Sequence, residues 1–249
     1  MSDDRGPAMA FVVGVVRPLL VLLTRRDWQG GTNLPRSGGC VVAANHVSDF
    51  DPLVVAHFIV DNGRLPRFLG KAEVFAVPVI GRILTSAGHI PVHRRSADAA
   101  HAFAAAVEAV RAGRCVVVYP EGTITRDPDM WPMTGRTGAV RIALATGCPL
   151  VPVAQWGPQR VLAPHTWRLR PFPRKLMQVR AGTPVDLADL VDRPLTTEVL
   201  QEATERVLAA VTTLLAGIRG EPAPTLRFDV ADAAPPATKL PRRGSRRRR

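Results

Sequence analysis

The chain of 249 residues has one tyrosine, three cysteines and an aromatic content of 5 %. Each scarcity excludes something. Cys40, Cys115 and Cys148 are odd in number, and each sits in or beside an apolar run. They read as small core residues of a reducing compartment, and neither a disulfide framework nor a zinc site follows from them. His89 and His93 can share a face of an extended strand, but no third ligand lies nearby, so no metal is expected. Few base-stacking rings and no zinc or helix-turn-helix pattern argue against a nucleic-acid module. No apolar run reaches the roughly 20 residues that a spanning helix needs. The longest, Pro7 to Leu23, is interrupted by Arg17-Pro18 and lacks a small-residue cleavage site, which also argues against a secretory signal. No internal repeat is visible.

Basic charge is present in excess. The net charge is +12 and the pI about 11.2, which calls for a polyanionic partner, a membrane surface or nucleic acid. Seven of those charges lie between Lys239 and Arg249 without one acidic residue. The stretch from Glu221 onward, rich in Pro, Ala and charge, reads as a disordered basic tail. Pro7 to Leu23, flanked by Arg25 and Arg26, suits a helix lying in the membrane interface with its cations at the headgroups. The expected organisation is an interfacial helix in 1–28, a catalytic domain in 29–220 and a basic tail in 221–249. The expected location is the cytoplasmic face of a cell membrane, peripheral or monotopic. High Ala, Arg and Pro content points to a GC-rich bacterial genome.

Between these ends, strand and helix signals alternate. Short apolar runs read as strands at Cys40 to Ala44, Arg67 to Lys71, Ile90 to Arg94, Arg114 to Tyr119, Pro149 to Ala154 and Lys175 to Ala181. Helices are expected over Asp51 to Val60, Glu73 to Ala87, Ala97 to Ala112, Thr137 to Thr146 and Thr196 to Ile218. Continuous apolar strands separated by helices predict an α/β fold, with a mixed, largely parallel central sheet covered on both faces.

The stretch Ala-Asn-His-Val-Ser-Asp-Phe-Asp-Pro at 44–52 follows the first of those strands. It sets His46 five residues ahead of Asp51. A histidine moves protons near neutral pH, and a carboxylate on its other ring nitrogen would fix its tautomer and raise its basicity. No serine or cysteine nucleophile is evidently paired with it, so the simplest chemistry is a dyad that activates a substrate hydroxyl. Pro120-Glu121-Gly122-Thr123 follows another strand, and loops at the carboxyl ends of α/β strands build sites. Gly122 would let the backbone approach a ligand, and Thr123 with nearby N–H groups could bind an anion. Arg94 and Arg95, at the end of a third segment, Gly88 to Arg95, suit a phosphate.

Four ordered segments carry a resemblance: Asn45-His46-Val47-Ser48-x-x-Asp51, Gly88-x-Ile90-Pro91-Val92-x-Arg94, Tyr119-Pro120-Glu121-Gly122-Thr123 and Val151-Pro152-Val153. Their order and spacing over roughly residues 35 to 155 resemble the glycerolipid acyltransferases. That group includes 1-acylglycerol-3-phosphate and glycerol-3-phosphate acyltransferases. The resemblance implies a catalytic pair of His46 and Asp51. It implies that Arg94 and the Glu121-Gly122-Thr123 loop contact the acceptor phosphate, with Lys71 nearby. Ile124 stands where such proteins usually carry a basic or small polar residue, and Arg126 follows two positions later, so either arginine can complete the phosphate site. The implied reaction moves an acyl group from acyl-CoA or acyl carrier protein to lysophosphatidic acid or glycerol-3-phosphate in phospholipid biosynthesis. It needs no metal and no cofactor beyond that co-substrate. Backbone N–H groups of one of these loops would stabilise the oxyanion. The expected partners are the thioester donor, the phosphate-bearing acceptor and an anionic membrane, not nucleic acid. An acyl thioesterase and a non-catalytic polyanion-binding protein remain the alternatives.

Overall fold

The computed structural model describes residues 7–92, 96–166 and 168–229. In chain order the elements are α1 (Pro7–Leu23), β1 (Thr24–Gln29), β2 (Cys40–Ala44), α2 (Asp51–Asp61), β3 (Pro66–Lys71), α3 (Ala72–Phe75) and α4 (Ile80–Ser86). They continue with β4 (Ile90–Val92), α5 (Ser96–Arg111), β5 (Cys115–Val118), α6 (Gly138–Thr146), β6 (Leu150–Trp156), α7 (Pro158–Val161), β7 (Lys175–Ala181) and α8 (Thr197–Arg219).

The central strands are apolar at every position because both faces of the sheet are covered. β2 is buried throughout, as is β5. Val41, Ala43, Val116 and Val118 join one core with residues of α5, α6 and α8. Cys40, Val42, Ala44, Cys115 and Val117 join the other core with Val54, Val55, Phe58 and Ile59 of α2. The seven strands run β1-β7-β6-β2-β5-β3-β4. All pairs are parallel except β6–β7, so the sheet is mixed and mostly parallel, as expected. The parallel strands β2, β3, β4, β5 and β6 all end at one edge, and the reversal at β7 makes β7 and its parallel neighbour β1 begin there.

Helix boundaries follow local chemistry. Thr196 caps α8 by accepting the Val199 N–H, and Gly220 closes it in the left-handed region. The helix expected over Glu73 to Ala87 is instead two, α3 and α4, broken around Pro78 and Val79. Proline cannot donate the helical hydrogen bond, and Val79 adopts a φ of 69°. The break folds α4 back so tightly that a Cβ at Gly81 would sit 1.8 Å from the Phe75 carbonyl oxygen.

Two elements were not anticipated. The segment Thr24–Gln29, whose Arg25 and Arg26 are the expected basic flank of an interfacial helix, forms β1 at the sheet edge, paired with β7 from Thr24↔Lys175 to Gln29↔Arg180. The boundary expected at 28–29 therefore falls inside a strand. The single turn α7 is the other. Helix α1 packs on β1, α2 and α4. Asp61, at the end of α2, gathers these parts. Its carboxylate accepts from Arg17 Nε at 2.8 Å, Arg26 Nη1 at 2.9 Å and Trp28 Nε1 at 3.0 Å. Past α8, residues 221–229 carry no regular element; 221–226 are exposed, and Arg227 and Phe228 lie against the domain. The Phe228 carbonyl accepts the Thr134 N–H at 3.0 Å, and Arg227 pairs with Glu205. The rest of the expected disordered tail lies outside the described residues.

Candidate active site

The loop leaving β2 turns directly into α2, and this brings His46 and Asp51 together. Asp51 occupies the first turn of α2 and is fully buried. Its Oδ2 accepts from three donors: His46 Nδ1 at 2.8 Å, the Val47 N–H at 2.6 Å and the Ser48 N–H at 2.9 Å. Because that oxygen already accepts from two backbone amides, Nδ1 carries the ring proton. Nε2 is left as the basic nitrogen. Burial pushes the Asp51 carboxyl above its ordinary value, and the bond to His46 pulls it back. The His46 side chain is 14 % exposed while that of Asp51 is sealed, so the dyad opens outward through the histidine.

The second loop clamps the first. Glu121 Oε1 accepts the His46 N–H at 2.9 Å, its Oε2 accepts the Met133 N–H at 3.0 Å, and the Thr125 N–H donates to the His46 carbonyl at 2.7 Å. The substrate-contacting role expected for Glu121 is thereby corrected. The side chain is buried and each of its oxygens accepts a loop amide, so it faces the protein's own backbone. Burial raises its pKa to about 8. A third strand end is locked to the same loop: Asn45 and Gln155 exchange hydrogen bonds at 2.8 to 3.1 Å, each side chain against the other's backbone.

Tyr119 was part of the sequence motif but had no role assigned. Its ring stacks on His46 at 4.3 Å between centroids, 20° from parallel, with Phe68 beyond it at 6.3 Å. Its hydroxyl is buried, and burial raises it further from ionisation, with the Asp51 charge adding to that effect. Among the described residues the Tyr119 hydroxyl, Asp51 Oδ1 and Gln155 Oε1 lack a partner of hydrogen-bond geometry. Gln155 is near enough to ease the tyrosine's shift without meeting that geometry.

The described residues among those expected to bind phosphate are distributed along the same edge. Gly122 has a φ of 68°, and an added Cβ there would lie 3.1 Å from Arg136 Nε. The exposed Arg136 guanidinium therefore covers the turn next to half-buried Thr123, a cation that the motifs did not mark. Arg126 donates its backbone N–H to Met133 Sδ at 3.1 Å and is itself half-buried. Lys71 is exposed at the end of β3, beyond β5 from the dyad. Arg94, with His93 and Arg95, lies outside the described residues. His89 is turned to structural use: its Nδ1 accepts the Phe68 N–H at 3.0 Å, and burial, then Arg67, lowers its pKa to about 4.

Residues 25–156, over half the chain, match the Acyltransferase family model, and the chain belongs to that family. It is 32 % identical over 125 residues to a 1-acyl-sn-glycerol-3-phosphate acyltransferase of Borreliella burgdorferi, covering 50 % of this chain and 48 % of that one. It is 31 % identical over 140 residues to a chloroplastic 1-acyl-sn-glycerol-3-phosphate acyltransferase of Brassica napus, covering 55 % and 39 %. In each case the alignment spans less than half of the relative. The crystal structure of the 1-acyl-sn-glycerophosphate acyltransferase of Thermotoga maritima superposes with a TM-score of 0.66 at 22 % identity. That match covers 89 % of this chain and 86 % of the other, and establishes the shared fold.

Proposed function

We propose that this protein is a glycerophospholipid O-acyltransferase. In this reading it moves a fatty acyl group from acyl-CoA or acyl carrier protein to a hydroxyl of lysophosphatidic acid or glycerol-3-phosphate. The observation that carries the reading is the 2.8 Å contact between His46 Nδ1 and the sealed Asp51 carboxylate, with Nε2 left basic at the open side. The acceptor hydroxyl donates to Nε2. His46 takes its proton as the oxygen attacks the thioester carbonyl, and Asp51 stabilises the imidazolium. The tetrahedral oxyanion collapses with loss of the thiolate, which receives the proton from His46. No acyl-enzyme is required.

Gly122 and Thr123 with Lys71, Arg94 and Arg126, joined by Arg136, supply the phosphate contacts. They act mainly by positioning the acceptor. No described helix is long and apolar enough to cross a membrane. The reading places the protein peripherally on the cytoplasmic face of a membrane, with α1 in the interface and the basic tail at anionic headgroups.

The test is transfer from palmitoyl-CoA, scored by lipid product and by thiol release. Lysophosphatidic acid, glycerol-3-phosphate and no acceptor are run in parallel, for wild type and His46→Ala. Acceptor-dependent transfer that His46→Ala lowers by roughly 10²- to 10⁴-fold supports the reading. Thiol release independent of acceptor sinks it in favour of a thioesterase.

A further inference from the structure

Between Asp129 and Asp186 the chain carries eight Arg and Lys residues and not one Asp or Glu. In the middle of this stretch, residues 168–174 read Arg-Leu-Arg-Pro-Phe-Pro-Arg. Leu169 is 59 % exposed and Phe172 69 %, and Arg168, Arg170 and Arg174 are exposed beside them. A large ring and an aliphatic chain held in water between cations require an explanation that the catalytic residues do not supply.

The loop has a fixed place. At its base the Arg170 N–H donates to the Val161 carbonyl at 2.7 Å, and Leu169 bridges Leu162. The Leu162 carbonyl in turn accepts the Ser48 hydroxyl at 2.6 Å, two residues from His46. At its far end Arg174 Nη2 donates to the Val21 and Thr24 carbonyls, both at 2.7 Å, where α1 passes into β1. The loop therefore bridges the catalytic turn and the end of α1, at the sheet edge where β2, β5 and β6 finish. Two further elements expose aliphatic side chains on leaving or entering that edge. α1 presents Leu19 (51 %) and Leu22 (66 %), and the α3–α4 turn presents Val77 (44 %) and Val79 (64 %).

We propose that the 168–174 loop is a second membrane-docking element. It places Leu169 and Phe172 among the acyl chains of an anionic bilayer and Arg168 and Arg170 at the lipid phosphates, so that the His46 side of the sheet faces the lipid. Apolar side chains from three separated elements, interleaved with cations and free of carboxylates on the loop, match a broad anionic apolar surface. The inference rests on the membrane partner proposed above but not on acyl transfer. It also explains why a lipid-soluble acceptor would need no soluble carrier to reach His46.

The full chain is floated with phosphatidylcholine vesicles, with and without phosphatidylglycerol. Leu169→Ser/Phe172→Ser is expected to lower partitioning onto both by about ten-fold or more, from the lost apolar insertion. Arg168→Gln/Arg170→Gln is expected to lower it mainly on the anionic vesicles. An environment-sensitive label at Phe172→Cys, in a Cys148→Ser background, should shift to the blue on vesicle addition without any loss of folded protein. Transfer to glycerol-3-phosphate without vesicles should stay within about two-fold of wild type in the Leu169/Phe172 variant. Undiminished vesicle binding by that variant, or an unshifted label, overturns the proposal. So does a loop that ignores vesicles and binds acyl carrier protein instead. Loss of soluble transfer in the variant also overturns it, by assigning the loop to the catalytic machinery. Loop-dependent vesicle binding by a wild type that transfers to no acceptor leaves docking intact and removes the acyltransferase reading.

Discussion

Glu121 Oε1 accepts the backbone N–H of His46 at 2.9 Å, so the histidine is positioned by a carboxyl group from a different strand loop. The relationship inverts the usual reading of an acidic residue in a motif. Glu121 faces the protein's own amides, and the histidine side chain is the one that reaches the open side.

Glu121→Gln offers an NH2 group where one of the two amides now finds an oxygen. A loss of about 1–3 kcal/mol is expected from that unmatched donor, together with a fall in kcat as His46 loses its anchor. The pH dependence also carries a sign. With a folded pKa of about 8 against an ordinary 4.5, the folded state binds the extra proton between those values. This group therefore makes stability fall as pH rises from 4.5 to 8. Urea denaturation across that range should show a shallower decline for the glutamine variant than for wild type, and parallel curves would contradict the assignment.

Asp51→Asn keeps an oxygen for the Val47 and Ser48 amides but removes the charge that stabilises the imidazolium in the proposed mechanism. A kcat lowered by roughly 10²-fold or more is expected, with acceptor KM little changed and circular dichroism unaltered. A change confined to KM would assign Asp51 to binding instead.

Tyr119→Phe retains the ring stacked on His46 and deletes a buried hydroxyl that has no partner of good geometry. Removing such a group should leave kcat within a few-fold and stability unchanged or up to about 1 kcal/mol higher. Tyr119→Ala removes the stack and should lower kcat by about ten-fold, because the imidazole loses the surface that fixes its plane. Steady-state kinetics of the two variants side by side separate ring from hydroxyl.

His89 should remain neutral well below the usual histidine range. Its folded pKa of about 4 lies below the ordinary 6.5, so its contribution to stability is complete above pH 6.5 and is lost as pH falls toward 4. Nuclear magnetic resonance titration should find its imidazole shifts flat above pH 5. A midpoint near 6.5 would show that the Phe68 N–H bond does not hold in solution.

The parts of the fold legible in the sequence were those where composition and burial coincide. Cys40 to Ala44 and Lys175 to Ala181 read as strands because their apolar side chains meet helices or neighbouring strands. Strand β1 did not, because Thr-Arg-Arg-Asp-Trp-Gln is an edge sequence whose pairing is set by β7 and whose polar side chains are satisfied at Asp61, 33 residues or more away. The dyad was legible because His46 and Asp51 are five residues apart, within one loop and the helix it opens. Glu121 was misjudged because a turn glutamate looks solvated until the fold encloses it. Gln155 gave no local signal, since its partner Asn45 lies 110 positions earlier.

The strand order has a consequence for synthesis. β1 sits beside β7, and the first pair, Thr24 with Lys175, is separated by about 150 residues. At roughly 5–20 residues per second, β1 waits on the order of ten seconds for its partner strand. Closure of so distant a pair is also slow in its own right. During that interval the nascent chain presents an unpaired strand edge. Helix α1 can meet α2 and α4 while this edge is still open, so the N-terminal segment is docked by its helix before its strand is paired.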